Sequence, residues 1–118
     1  MHIMNNIAAQ GEAFFRRISD IPAGTEYVTS KPENGKFIVA HSESGHHHVV
    51  DADGVELLER TDDVGEGLRV LYMIVENPTT LEHLRSTDTH EPILFNEGIY
   101  EVRLQREYTP EGFRAVAD

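Results

Sequence analysis

Cysteine is absent from the 118 residues, which excludes disulfide frameworks, thiolate metal sites and cysteine nucleophiles together. No apolar run approaches the roughly 20 residues of a membrane-spanning helix. The opening Met1-His2-Ile3-Met4-Asn5-Asn6 also lacks the basic and then apolar build of a signal peptide. A cytoplasmic protein is expected. Basic residues are scarce as well: 10 Lys and Arg stand against 21 Asp and Glu, for a net charge of −11. A surface of that sign repels phosphate backbones and anionic lipid, which argues against nucleic-acid and membrane partners. The sequence contains no Gly-x-Ser-x-Gly elbow, no Walker loop and no His-Glu-x-x-His helix, so no nucleophile or metalloprotease signature is available. A helix-length 3.6-residue pattern is missing too, as are internal repeats and linkers.

What remains is a succession of short strand-like pieces separated by turn chemistry. The candidate strands are Ala13–Ile18, Glu26–Thr29, Lys36–His41, His46–Asp51, Val55–Arg60, Leu68–Glu76, Thr80–Leu84, Glu91–Phe95 and Ile99–Glu107. Pro22-Ala23-Gly24, Pro32–Gly35, Ser42–Gly45, Asp51–Gly54 and Asn96-Glu97-Gly98 punctuate them. The expectation is one all-β domain over 11–118, a small antiparallel barrel or sandwich of about eight strands, preceded by a flexible tail over 1–10. Ile99–Glu107 alternates Tyr100, Val102 and Leu104 with Glu101, Arg103 and Gln105, the pattern of a strand with one wet face. Leu68–Val75 is apolar on both faces, so it lies centrally in the fold or in the interface of a homodimer or higher oligomer.

The chemistry is concentrated in histidine. Of seven histidines, all but His2 fall within 41–48 and 83–90. A hairpin over Ser42–Gly45 sets His41 opposite His46, with facing Cβ atoms about 4.5–5.5 Å apart. His48 returns to the same face about 6.6 Å along the strand. A two-residue turn would pair His41 with His48 instead, and a bulge would take His41 off that face. If Asp51–Gly54 is a further hairpin, Val55, Leu57 and Glu59 extend the face and Glu59 lies near the imidazoles. His90, close to the mouth of a Thr80–Phe95 hairpin, joins them if that mouth approaches the same rim. His46, His48 and His90, with His41 and Glu59, are therefore candidate ligands for one divalent metal; zinc, iron and nickel all suit imidazole with a carboxylate. The same groups would serve as a general acid and base pair. Solvated histidines at exposed hairpin ends are the plain alternative.

His46-x-His48 on a strand is similar to the cupin pattern, although the cupin glutamate falls where this chain has Asp51-Ala52-Asp53, and His90 precedes Pro92 instead of following a Pro-x-Gly turn. No activity carries over. Gly11-Glu12, Ser44–His48, His90-Glu91-Pro92-Ile93, Gly98-x-Tyr100 and Gln105–Glu111 together resemble a family of small bacterial and phage β-proteins of uncharacterised function. That resemblance implies a bacterial or prophage origin and a shared β fold.

Three functional classes follow. The first is a non-catalytic accessory or assembly protein that self-associates through Leu68–Val75. The second is a metal-binding or small hydrolytic β-domain using the histidine cluster. The third is an acidic phage-type inhibitor of a basic partner. Phe14-Phe15-Arg16-Arg17 sets aromatic beside basic residues, and a salt bridge to a neighbouring strand or subunit accounts for it better than nucleic acid does. Residues 61–67 resemble a calcium loop in composition only and read as a solvated loop.

Overall fold

The computed structural model describes residues 2–10, 12–40, 47–62, 68–83, 92–109 and 112–115, the last stretch together with 83 and 105–109 by backbone alone. Among them the structure is all β. The strands in chain order are β1 (His2–Ile3), β2 (Ile7–Gln10), β3 (Ala13–Ile18), β4 (Tyr27–Thr29), β5 (Lys36–Ala40), β6 (His48–Asp51), β7 (Val55–Arg60), β8 (Leu68–Val75), β9 (Thr79–His83), β10 (Ile93–Phe95), β11 (Gly98–Thr109) and β12 (Gly112–Ala115). No described helix is long and apolar enough to cross a membrane.

The strands form two sheets. One runs β1-β10-β9-β6-β5 and the other β2-β3-β11-β8-β7-β4, with β12 paired to the far end of β11. Every described pairing is antiparallel except β1 with β10. Neither sheet closes on itself, so the architecture is a sandwich of two sheets and the barrel alternative falls away.

The sheets meet because their strands carry apolar residues on the facing sides. Phe37, Val39, Val50, Leu81 and Phe95 from one sheet pack with Phe15, Leu57, Leu71, Met73, Tyr100, Val102 and Leu104 from the other. Phe95 is the hinge pin of this layer: its ring centroid lies 4.9 Å from Phe15 and 4.9 Å from Tyr100. The tilted and edge-on geometry is what ring quadrupoles favour.

The two-sided apolar character of β8 has a physical explanation within one chain. Leu71, Met73 and Val75 enter the core between the sheets. Val70 and Tyr72 join Leu58 in a second cluster on the opposite face, against Ile18, Ile21, Leu68 and Ile74. The connection after β3 brings Ile21 onto that face. This second cluster buries Val70 and Tyr72 within one chain and leaves Leu68 and Ile74 partly buried.

Residues 2–10 are not a tail in the structure. Met4 is 2% exposed, and its N–H donates to the Leu94 carbonyl at 2.9 Å. Arg17 N–H donates to Asn6 O at 2.8 Å, and β2 pairs with β3. Their pairing comes from tertiary partners, since His2–Gln10 carries no period of its own.

Two turns that change sheet are joined to each other. The chain leaves β6 through Ala52-Asp53-Gly54 and returns after β8 through Glu76-Asn77-Pro78. The Gly54 carbonyl accepts from the N–H groups of Glu76 at 2.7 Å and Asn77 at 3.4 Å. Gly54 has φ 70°, and a Cβ there would collide with the Asn77 side chain, so glycine is required twice over.

Candidate functional site

The β5–β6 hairpin starts in the register that a four-residue loop demands: Lys36 faces Asp51, Phe37 faces Val50 and Ile38 faces Val49. A bulge at Val39 then slips the pairing, so that Ala40 faces His48. One extra residue on the bulged strand turns Val39 and Ala40 both inward, and both are 0% exposed. The position opposite His48 on β5 is therefore alanine and not His41. His41, His46 and His90 lie outside the described residues.

On its other side β6 pairs with β9, and His48 faces His83 in the backbone register. The strand order β10-β9-β6-β5 sets the C-terminal ends of β5 and β9 beside the N-terminal ends of β6 and β10. The segments 41–47 and 84–92 thus leave and re-enter the same sheet at the same end, from neighbouring strands.

His48 is wholly buried, at 0% exposure, on the core side of β6. Its Nδ1 lies 2.6 Å from Oε1 of Gln10. Gln10, 3% exposed, belongs to β2 of the facing sheet, and its amide nitrogen donates to the Leu81 carbonyl of β9 at 3.4 Å. One amide thereby ties the histidine strand and its neighbour to the opposite layer. Gln10 escaped the sequence reading because its partners are remote in the chain and no local pattern marks it. His47 is half-buried.

Glu59 is placed elsewhere. Its strand β7 pairs with β8 and β4 in the other sheet, so Asp51–Gly54 is a crossing between layers and makes no hairpin that brings Glu59 beside His48. The Arg69 guanidinium holds the Glu59 carboxylate through two parallel bonds, Nε to Oε2 at 2.7 Å and Nη2 to Oε1 at 2.6 Å. Among the described residues no group of three or more His, Asp or Glu is arranged to hold a metal ion.

Other charged groups serve the sheets. Arg16 on β3 pairs with Glu101 on β11 at 3.4 Å, and Arg103 reaches the same carboxylate at 2.8 Å. Arg17 donates to Glu97 O at 2.9 Å and its guanidinium carbon sits 5.7 Å from the Tyr100 ring centroid. The basic pair beside Phe14-Phe15 is thus engaged between strands. Burial pushes the Tyr100 phenol above the ordinary tyrosine range, against the opposing pull of Arg17; its hydroxyl donates to Asn96 O at 2.7 Å. A polar notch of about 300 Å³ is lined by Asp51, Asp53, Asn77, Thr79, Thr80 and Glu82, and Lys36 Nζ bonds Asp51 nearby at 2.9 Å.

Fold and buried histidine define a two-sheet β-sandwich domain with a polar tie between its layers. By sequence the chain belongs to the family described as Domain of unknown function (DUF8820), which it matches over residues 9–105. The matched stretch spans the chain from Ala9 on β2 to Gln105 on β11. No curated protein and no solved structure matches the chain.

Proposed function

We propose that this domain binds one divalent first-row metal at the end of the five-stranded sheet where 41–48 and 83–90 depart. The ligands assigned are His46, His48 and His90, with His41 within the same segment. The observation that carries the reading is the β6–β9 register, which sets His48 opposite His83 and the roots of both histidine segments on adjacent strands. Imidazole nitrogens suit zinc, iron or nickel, and three of them leave a coordination position for water or substrate. Glu59 drops out of the ligand set, because Arg69 already binds both of its oxygens. Elemental analysis of untagged protein, purified without a nickel column, tests this reading. It expects about one equivalent per chain, lost in the His46→Ala/His90→Ala double variant while the far-ultraviolet spectrum stays β. A full equivalent retained by the double variant, or metal-free wild type, rejects it.

A second reading, an accessory protein that assembles with copies of itself, rests on the edge strand β4. Glu26 O accepts from Thr61 N–H at 2.9 Å and Ser30 N–H donates to Leu57 O at 2.8 Å, so the even-numbered residues face β7. The N–H and C=O groups of Tyr27 and Thr29 consequently turn to the open edge. Tyr27 is 47% and Val28 56% exposed there. A second copy pairing antiparallel about Val28 would place Tyr27 against Thr29 of its partner and cover both apolar side chains. Thr29→Pro removes an outward N–H while sparing the bonds to β7. Sedimentation should show a dimer in wild type and a monomer in the variant; monomeric wild type at 100 micromolar (roughly the top of the range for a working weak dimer) removes this reading.

A further inference from the structure

We propose that the cavity at the β5 edge of the sandwich binds one free α-amino acid with an apolar side chain of about leucine's size. The site uses none of the histidines and is independent of the metal reading. It measures about 150 Å³ and lies between β5 of one sheet and β7 and β8 of the other. Phe37, Leu57 and Leu71 line it with buried apolar side chains, while Lys31, Glu33 and Arg69 bring charges of both signs. A volume of that order holds about one benzene-sized apolar body. The matching ligand is therefore short and apolar at one end and carries a carboxylate and an ammonium at the other.

Arg69 is the anchor for the carboxylate. By the two-residue period of β8 it shares the core-facing side with Leu71, Met73 and Val75, a costly place for a charge. Glu59 compensates that charge through Nε and Nη2 and so fixes the plane of the guanidinium. Of the five N–H donors of a guanidinium, Glu59 takes two, and the Nη1 edge is left to a second carboxylate. The side chain is 23% exposed, so a small solute reaches it. The other two charges sit on a rim that is held at both ends. Ser30 N–H donates to Leu57 O at 2.8 Å. Glu33 and Lys36 exchange backbone bonds of 2.7 and 3.0 Å around Asn34-Gly35, where φ is positive at both residues, as a type I′ turn requires. Between these points Pro32 restricts its own backbone and that of Lys31. Lys31 adds a second cation for the carboxylate, and Glu33 supplies the acceptor for the ammonium, from a rim that has little freedom left to lose on binding.

Calorimetric titration of full-length protein with L-leucine tests this, with methyl spectra of leucine-labelled protein to locate the ligand. Leucine should saturate one site per chain and shift the Leu57 and Leu71 methyl groups. In wild type, 3-methylbutylamine, which lacks the carboxylate, should bind at least roughly tenfold more weakly. Exposed Glu33 contributes less, so Glu33→Gln should weaken leucine by about twofold to fivefold and leave 4-methylpentanoate, which lacks the ammonium, unchanged. No saturation by about 10 millimolar leucine, tenfold above the Kd of a weak millimolar site, overturns the proposal. Saturation that shifts other methyl groups and spares Leu57 and Leu71 overturns it as well. If 4-methylpentanoate binds wild type as tightly as leucine does, the ligand is not an amino acid. An Arg69→Gln variant that is folded by its near-ultraviolet spectrum and binds leucine as wild type does removes the anchor and the proposal with it.

Discussion

Gly54 and Gly35 adopt nearly the same left-handed backbone, at φ 70° and 76°, in very different surroundings. Nothing lies within 4 Å of a Cβ built on Gly35, whereas at Gly54 it would run into Asn77. Backbone strain alone predicts that Gly35→Ala costs about 1 kcal/mol. Gly54→Ala should cost about 3 kcal/mol, because the side-chain collision adds to the same strain and loosens the joined crossings. Urea midpoints of the two variants measure the difference directly. Equal losses would mean that Asn77 moves aside freely and that the two crossings are not coupled.

The pair Arg60–Asp62 makes a pH prediction at the same scale. Hydrogen bonding from Arg60 holds the Asp62 carboxyl below the ordinary aspartate range, and its bonds to Arg60 Nε and Nη2 are both 2.7 Å. A depressed folded pKa means that the carboxylate contributes stability above the unfolded value, about 3.9, and loses it as pH falls through the lower folded one. Wild type should therefore exceed Asp62→Asn in urea stability at pH 7, with the gap closing as pH drops below about 4. A gap that is the same at both ends of that range would show that the ion pair has no part in it.

At the scale of the element, neighbouring Phe14 and Phe15 test the strand register. Phe15 is 0% exposed between the sheets and Phe14 is 41% exposed on the outer face. Phe15→Ala should cost about 3–5 kcal/mol through lost packing and a residual cavity. Phe14→Ala should stay within about 0.5–1 kcal/mol. Comparable losses would place both faces of β3 in contact with something and contradict its one-sided burial.

The same alternation explains which elements were legible in the sequence. β8 and β11 are readable because each holds at least six residues in a nearly all-apolar or period-2 pattern, whereas β7 is marked by its apolar Val55, Leu57 and Leu58 between turn residues. β1 and β12 have 2 and 4 residues, and β2 has 4, so their signal is too short to separate from loop; distant partners recruit them. The crossing at Asp51–Gly54 resembles a hairpin in sequence for a different reason. An Asp-x-Asp-Gly turn has the same local chemistry whether the next strand lies beside the last one or across the core. The slip at Val39 likewise comes from packing two consecutive small side chains inward, which no periodicity announces. Of the candidate site, His48 was legible as a strand residue beside other histidines, while Gln10 was not legible at all.

For the molecule as a whole, a net charge of −11 sets two electrostatic effects against each other. Surface pairs such as Lys36–Asp51 and Arg60–Asp62 are attractive at contact distance, 2.9 and 2.7 Å, and each contributes only modestly beside solvent. Arg16, Arg69 and Arg103 are likewise committed to Glu101 and Glu59, so half of the 10 cations are engaged by single neighbours. The surplus carboxylates repel one another over longer distances. Screening acts on distance: the Debye length shrinks from about 30 Å at 0.01 M salt to about 3 Å at 1 M. Contact pairs outlast that change better than repulsion spread across the surface does. Sodium chloride added from 0.01 to 1 M (the span over which screening passes from weak to nearly complete) should therefore raise the thermal midpoint, with most of the rise in the first tenth of that range. Magnesium chloride at equal ionic strength serves as a check on specific cation binding. A midpoint that falls with sodium chloride would mean that the ion pairs outweigh the repulsion, and that the acidic surface is balanced far more locally than its composition implies.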